Sequence, residues 1–212
     1  MRLTRSDIAV ILFTLAYMGA ALAAALVLRN KEFVYYLAVM SVLLVIAASV
    51  HLQIRLHPAA LWGLSLWGLA HMAGGLVPIP EAWPRLGGRV LYNLWLIPDR
   101  LKYDQAVHAY GFGLTTWICW QGLQRAFERR GASVSPTVGL MLLCVAAGMG
   151  FGAANEVVEF IAVLTISGTN VGGYENTGWD LVSNLAGCVL AAVLIALVTK
   201  SSPRNRQPAA SK

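Results

Sequence analysis

The sequence predicts an all-α membrane protein: a bundle of six transmembrane helices with the N- and C-termini in the cytoplasm. Three observations lead there. Hydrophobic residues make up 58% of the chain and charged residues 12%, where soluble domains carry about 45–50% and about 25%; the mean hydropathy is +0.63. Six runs each approach the roughly 20 apolar residues that cross a bilayer core. The basic residues sit at the ends of those runs, as topology signals do. This balance excludes a disordered chain, a disulfide-stapled secreted scaffold and an ordinary soluble enzyme. The formal charge of +6 and pI near 9.5 do not indicate nucleic acid, because the charge is placed at run ends and forms no basic face.

The runs are about Ile8 to Leu28, Phe33 to Ile54, Ala59 to Val77, Asp104 to Gln124, Val138 to Thr165 and Trp179 to Thr199. None shows the dyad alternation of a barrel strand, and backbone groups in lipid need internal partners, so helices are expected. The first run has features of a signal peptide: Arg2 and Arg5 at its start and the triplet Ala21-Leu22-Ala23. It continues past that triplet to Leu28, longer than a signal core, and reads as a span.

With the N-terminus inside, ten Lys and Arg fall on the cytoplasmic side (Arg2, Arg5, Arg55, Arg125, Arg129, Arg130, Lys200, Arg204, Arg206, Lys212). Six fall outside (Arg29, Lys31, Arg85, Arg89, Arg100, Lys102). This bias favours a multi-pass protein with both ends inside. Residues 1–200 read as one six-helix domain and 201–212 as a flexible basic tail near anionic headgroups. The longer outer loop, Pro78 to Tyr103, carries Trp83, Tyr92 and Trp95, which suit the headgroup level; its stretch Leu91 to Ile97 is expected on the surface or dipping in. Cys119, Cys144 and Cys188 lie inside apolar runs and read as small buried hydrophobes.

Ionisable groups inside a bilayer cost about 2.5–3.5 kcal/mol on insertion scales and so need partners or a wet cavity. Span three has His71, and span four opens with Asp104 and His108. Span five carries Asn155, Glu156 and Glu159, and span six opens with Asp180 and Asn184. The four-residue spacing of Asp104 with His108, and of Asp180 with Asn184, puts each pair on one helix face; Glu156 and Glu159, three apart, also share a face. The topology brings all of them into the outer half of the bundle. Two carboxylates one turn apart require a proton or a cation between them. Asp104, His108, Glu156, Glu159 and Asp180 are candidate ligands for one divalent cation, Mg, Mn or Ca, or Zn if both histidines join. Glu156, Glu159, His108 and Asp104 are candidate catalytic groups, and His71, Asn155, Asp180 and Asn184 candidate substrate-binding groups.

Four of these residues also have a plainer reading, whereas Glu156 and Glu159 lie where a helix turn gives neither a cap nor free access to water. His71 beside Gly74 and Gly75 suits a packing histidine bonded to a backbone carbonyl. Asp104 and Asp180 suit helix caps, and Asn184 an interhelical clip. Gly148 and Gly152 form a small-xxx-small face before the glutamates. The glycine-rich loop Ser167 to Gly178 reads either as a lid over the site or as a connector.

Tyr103-Asp104-Gln105-Ala106-Val107-His108, Asn155-Glu156-Val157-Val158-Glu159 and the stretch NTGWDLVSNLAG from Asn176 to Gly187 together resemble the YjdF-like inner-membrane proteins, as does His71 with Gly74-Gly75. The match runs in order from about Leu69 to Leu190. It departs at Gln105, where a basic residue is common, and before Asp180, where a glutamine-containing stretch is missing. A looser similarity is to VanZ-like proteins. The first resemblance implies a small polytopic bacterial membrane protein without a settled activity; the second implies a link to the cell envelope.

The expectation is therefore an outward-facing acidic and histidine site that binds or acts on a cation, an envelope lipid or a glycolipid group. Its partners would be membrane lipid and a lipid-linked or small-molecule ligand, not nucleic acid. The alternatives are a proton- or cation-coupled carrier of small solutes and a structural or partner-binding protein whose polar layer locks helices together.

Overall fold

The computed structural model describes residues 3–201. Six long helices carry the chain: α1 Arg5–Val27, α2 Lys31–Ile54, α3 Pro58–Leu76, α4 Tyr103–Glu128, α5 Val138–Thr165 and α6 Tyr174–Ser201. Local chemistry sets their ends. Thr4 and Asp7 cap α1 reciprocally: Thr4 N–H donates to Asp7 Oδ2 at 2.8 Å and Asp7 N–H to Thr4 Oγ1 at 3.2 Å, a capping box. Asn30 Oδ1 accepts from Phe33 N–H at the start of α2, and α2 stops where Arg55 turns left-handed, φ 57°. Pro58 opens α3, where its missing N–H costs nothing.

The expected segments appear as these six helices. By length and composition, α1, α2, α5 and α6 are long and apolar enough to cross a membrane; α3 and α4 fall short of that measure. The reason is local. Helix α4 carries Asp104, Gln105, His108, Gln121 and Gln124. It packs against α6 above all, then α5 and α3, so neighbouring helices take the place of lipid along much of its surface. Helix α3 is 19 residues long and holds His71, Ser65 and four glycines.

Two apolar clusters knit the helices. Tyr17, Ala21, Ala25, Phe33, Leu37 and Met72 join α1 to α3. Trp120, Met141, Cys144, Ala192 and Ile195 join α4 to α6. The α4–α6 contact is backbone-close: a Cβ at Gly187 would lie 1.9 Å from the Ala109 carbonyl oxygen. The three cysteines are free.

The segment 78–102 carries structure of its own. It folds back through bridges Pro78–Val90 and Arg85–Leu94, a 3-10 turn at Leu91–Asn93 and a hairpin of β1 Trp95–Ile97 with β2 Leu101–Lys102. Helix α6 begins at Tyr174, five residues before the expected Trp179, so residues 174–178 are helix and no part of a lid loop. The earlier start is held by Asn176, which links the first turn of α6 to α4 and to its own second turn. The basic tail expected over 201–212 lies outside the described residues beyond Ser201, as does Arg2.

Candidate functional site

The site is built around one imidazole. His108, on α4, is 1% exposed. Its Nδ1 lies 3.1 Å from Asn184 Oδ1 on α6 and 3.6 Å from Glu156 Oε1 on α5. Only Asn184 Oδ1 is within hydrogen-bond distance of the ring, so Nδ1–H donates to it, while the carboxylate oxygens at both nitrogens stand at 3.6–3.9 Å, beyond that reach. In the neutral ring Nε2 then presents a lone pair. That atom stands 3.7 Å from Asp104 Oδ1 and 3.9 Å from Glu159 Oε1. A ring whose one nitrogen is fixed by a hydrogen bond and whose other faces carboxylates has the orientation of a metal-ligating histidine.

Asn155 Nδ2 donates to Glu159 Oε1 at 2.9 Å. Across the cluster, Asn176 uses both ends of its amide. Its Oδ1 accepts from Lys102 Nζ. Its Nδ2 donates to Asp180 Oδ2 at 2.6 Å and reaches Asp104 Oδ2 at 3.5 Å. Asp180 therefore sits in the second turn of α6 and is not a cap, contrary to the plainer expectation. Asp104 is not the cap of α4 either: Lys102 N–H at that end donates to Gln105 Oε1, 2.9 Å.

Among the described residues, several buried atoms at the centre have no hydrogen-bond partner: both oxygens of Glu156, Asp180 Oδ1, His108 Nε2 and Asn184 Nδ2. Asp180 and Asn184 are fully buried, and Glu156 is 9% exposed. Two triads, Asp104 with His108 and Asp180, and His108 with Glu156 and Glu159, bring one ligand atom each within 4.8 Å of one another. Like charges about 4 Å apart repel by about 4 kcal/mol at an effective dielectric constant near 20. Four carboxylates about one imidazole, with Lys102 nearby, therefore need protons or a cation.

His71 belongs to the outer wall. Its Nδ1 lies 2.5 Å from the Tyr92 hydroxyl, and its ring centroid is 6.3 Å from that of His108. It does not bond a backbone carbonyl, as a packing histidine would. Burial first, then Asp104 and Glu159, pushes the Tyr92 phenol well above its ordinary value, so the hydroxyl keeps its proton and can donate to His71. Helix α3 is pinned beside α4 by Trp67 Nε1–H to Val107 O, 3.1 Å, and by Tyr103 O–H to Ala70 O, 3.0 Å.

Small residues make this packing sterically allowed. A Cβ at Gly152 would meet Asn184 Nδ2 at 2.8 Å, one at Gly148 would meet Thr116 Oγ1 at 2.3 Å, and one at Gly74 would meet the Tyr92 ring at 2.4 Å. The Gly148/Gly152 face is thus occupied as its spacing suggested, whereas a Cβ at Gly150 would touch nothing.

A cavity of about 1370 Å³ opens on the cluster. His71, Asp104, Asn155 and Glu159 line it, while His108, Glu156, Asp180 and Asn184 lie behind its wall. All eight residues singled out from sequence therefore fall in one region. Lys102, Tyr92, Asn176 and Glu32 were missed. Lys102 reads as a topology charge and Tyr92 as an interfacial aromatic. Asn176 and Asp180, four apart, would have shown a shared face only with the start of α6 placed earlier. Glu32 accepts from Asn170 N–H at 2.9 Å, which ties the 166–173 connector to α2 over the cavity.

The family model described as predicted membrane protein (DUF2238) matches residues 9–201, and the chain belongs to that family. This is the family to which the YjdF-like resemblance points; the looser VanZ-like similarity gains no support from it. No curated protein and no solved structure matches the chain.

Proposed function

We propose that this DUF2238 membrane protein holds a divalent cation between His108 and its surrounding carboxylates and uses that site on the polar group of an envelope lipid or glycolipid in the bacterial inner membrane. The observation that carries the reading is the His108 ring itself. Asn184 takes the Nδ1 proton, and Nε2 is left bare between Asp104 and Glu159. A nitrogen with carboxylate oxygens suits Mn or Zn, and the carboxylates alone suit Mg or Ca. The buried, unpartnered oxygens of Glu156 and Asp180 add negative charge for a cation to offset. A bound cation would polarise an oxygen of the entering group; the protein's own part is to hold Glu159, Asp104 and His71 at the cavity wall, where they bind and orient that group.

The test is metal analysis of purified protein. The unaltered chain retains a stoichiometric metal after desalting, and Glu159→Gln, which keeps the shape and removes the charge, loses it while its helical circular dichroism is unchanged. Metal absent from both forms, after growth and purification with each candidate ion supplied, overturns the reading. A carrier remains the second reading, on the observation that Asp104 and Glu159 line a large cavity; proton or cation flux in proteoliposomes, abolished by the same substitution, would favour it.

A further inference from the structure

The cavity continues away from the acidic cluster along one face of α2. Glu32, Phe33, Tyr36, Val39, Met40 and Leu43 line it, the stripe expected of one helix face. From Glu32 to Leu43 it covers about 16 Å at 1.5 Å per residue. Along it the surroundings change in order. Glu32 and Phe33 are buried, Tyr36, Val39 and Met40 are half-buried, and Leu43 is 44% exposed. Helix α2 packs chiefly on α1 and only sparsely on α3 and α4; toward α5 it gives the Tyr35 hydroxyl to Val158 O, 3.1 Å. Val158 and Glu159 of α5 form the opposite wall. The apolar end of the cavity thus reaches the lipid-facing side of a spanning helix, and its polar end is the carboxylate cluster.

The charge of the lining selects the head that fits. Glu32, Asp104 and Glu159 line it from the helices, and Asp99 and Glu175 at the rim. Arg100 and Lys102 are the two bases, and Lys102 Nζ is already given to Asn176. Glu156 and Asp180 stand just behind. Five carboxylates against two bases line the cavity. Trp67, Tyr36 and Tyr92 add aromatic faces, which attract cations. The bare, buried Nε2 of His108, aimed between Asp104 and Glu159, marks where the polar end terminates.

We propose that the cavity takes an ammonium-headed amphiphile from the bilayer, its head at Asp104 and Glu159 and its hydrocarbon chain along Val39, Met40 and Leu43 between α2 and α5. An anionic head would face the carboxylates, and a small hydrophilic amine would leave the apolar stripe uncovered. This goes beyond the metal reading and does not need it.

The test is photo-crosslinking in neutral maltoside micelles with a dodecylamine bearing a diazirine near its chain end, adducts being mapped by peptide mass spectrometry. Adducts are expected at Val39, Met40, Leu43 and Val158. Unlabelled dodecylamine should displace them at about one-tenth the concentration dodecyl phosphate needs, and ethylamine should not displace them. Glu159→Gln should weaken capture about tenfold, as loss of one charged contact does. Met40→Trp should abolish it, and Leu142→Trp, on the exposed face of α5, should leave it intact. Equal displacement by dodecyl phosphate, or adducts as dense around Leu142 as around Met40, overturns the proposal. Should a variant fail to fold, the competition series on the unaltered chain decides alone. Metal analysis of the same samples keeps the two readings apart: capture without metal sinks only the metal reading, and metal without capture sinks only this one.

Discussion

Asn184 of α6 holds the His108 ring of α4 through one bond, Nδ1–H to Oδ1 at 3.1 Å, and both side chains are almost wholly buried. The bond joins the two most extensively packed helices and fixes which nitrogen faces the carboxylates. Asn184→Ala leaves a buried donor without its acceptor, which costs about 1–3 kcal/mol, and it releases the tautomer. A lower thermal midpoint in detergent is expected, together with about a 10–100-fold loss of metal affinity, the usual effect of removing a group that orients a ligand. Asn184→Asp keeps an acceptor at that place and should retain the tautomer. An Ala variant that melts and binds as the unaltered chain does would show that Asn184 sets nothing.

The α4–α6 contact predicts a contrast between two glycines. At Gly187 a Cβ would press on the Ala109 backbone oxygen at 1.9 Å, and at Gly150 it would meet nothing within 4 Å. Gly187→Ala therefore forces two backbones apart and should cost about 1–3 kcal/mol or more, as overpacking does. Gly150→Ala should be neutral or stabilise by about 0.5–1 kcal/mol, since alanine orders less expensively within a helix. Thermal denaturation in detergent, read side by side, checks the sign of each.

These contrasts also mark what the sequence could tell. Apolar runs of spanning length located all six helices, and the fifth, Val138 to Thr165, coincides with α5 at both of its ends. The i,i+3 and i,i+4 spacings of Asp104, His108, Glu156 and Glu159 put their side chains on common faces, and buried polar groups in adjacent helices meet because each lacks water. Spacing within a helix says nothing about a loop that folds back, so Tyr92 and Lys102 stayed hidden in a segment rich in Pro and Gly. The start of α6 was also missed, since Asn176 and Gly178 look like loop residues until Asp104, Lys102 and Asp180 supply their tertiary contacts. Hydropathy could not reveal that α4 is covered by other helices.

Tyr92 gives an alkaline signature. Its phenol is held well above the ordinary 10.0 in the folded chain. A group with a raised folded value contributes stability that is complete below its unfolded value and is lost as pH rises toward the folded one. Stability should therefore start to fall above about pH 10, and Tyr92→Phe should flatten that part of the profile. Near neutral pH the same substitution removes the hydroxyl from His71 and should cost about 0.5–1.5 kcal/mol. Melting temperatures between pH 7 and 11 for the two proteins test both statements; parallel curves would mean that Tyr92 does not titrate late.

A cation that binds the folded chain alone must also stabilise it. At a free concentration one hundred times its Kd the gain is about 2.7 kcal/mol. Thermal shifts in detergent with Mg, Mn, Ca and Zn should then rank the ions, and the ranking reports on the donors. If Nε2 of His108 is a ligand, Mn or Zn should exceed Mg and Ca, and His108→Gln should erase that preference while leaving a residual carboxylate effect. Asp104→Asn and Glu159→Gln should each reduce the shift, because both oxygens stand within 4 Å of Nε2. Without metal, the same two substitutions should raise the melting temperature, since each removes one of several crowded negative charges. That inversion of sign, destabilising with metal and stabilising without it, separates a cation site from a hydrogen-bonded layer, in which either substitution would destabilise under both conditions.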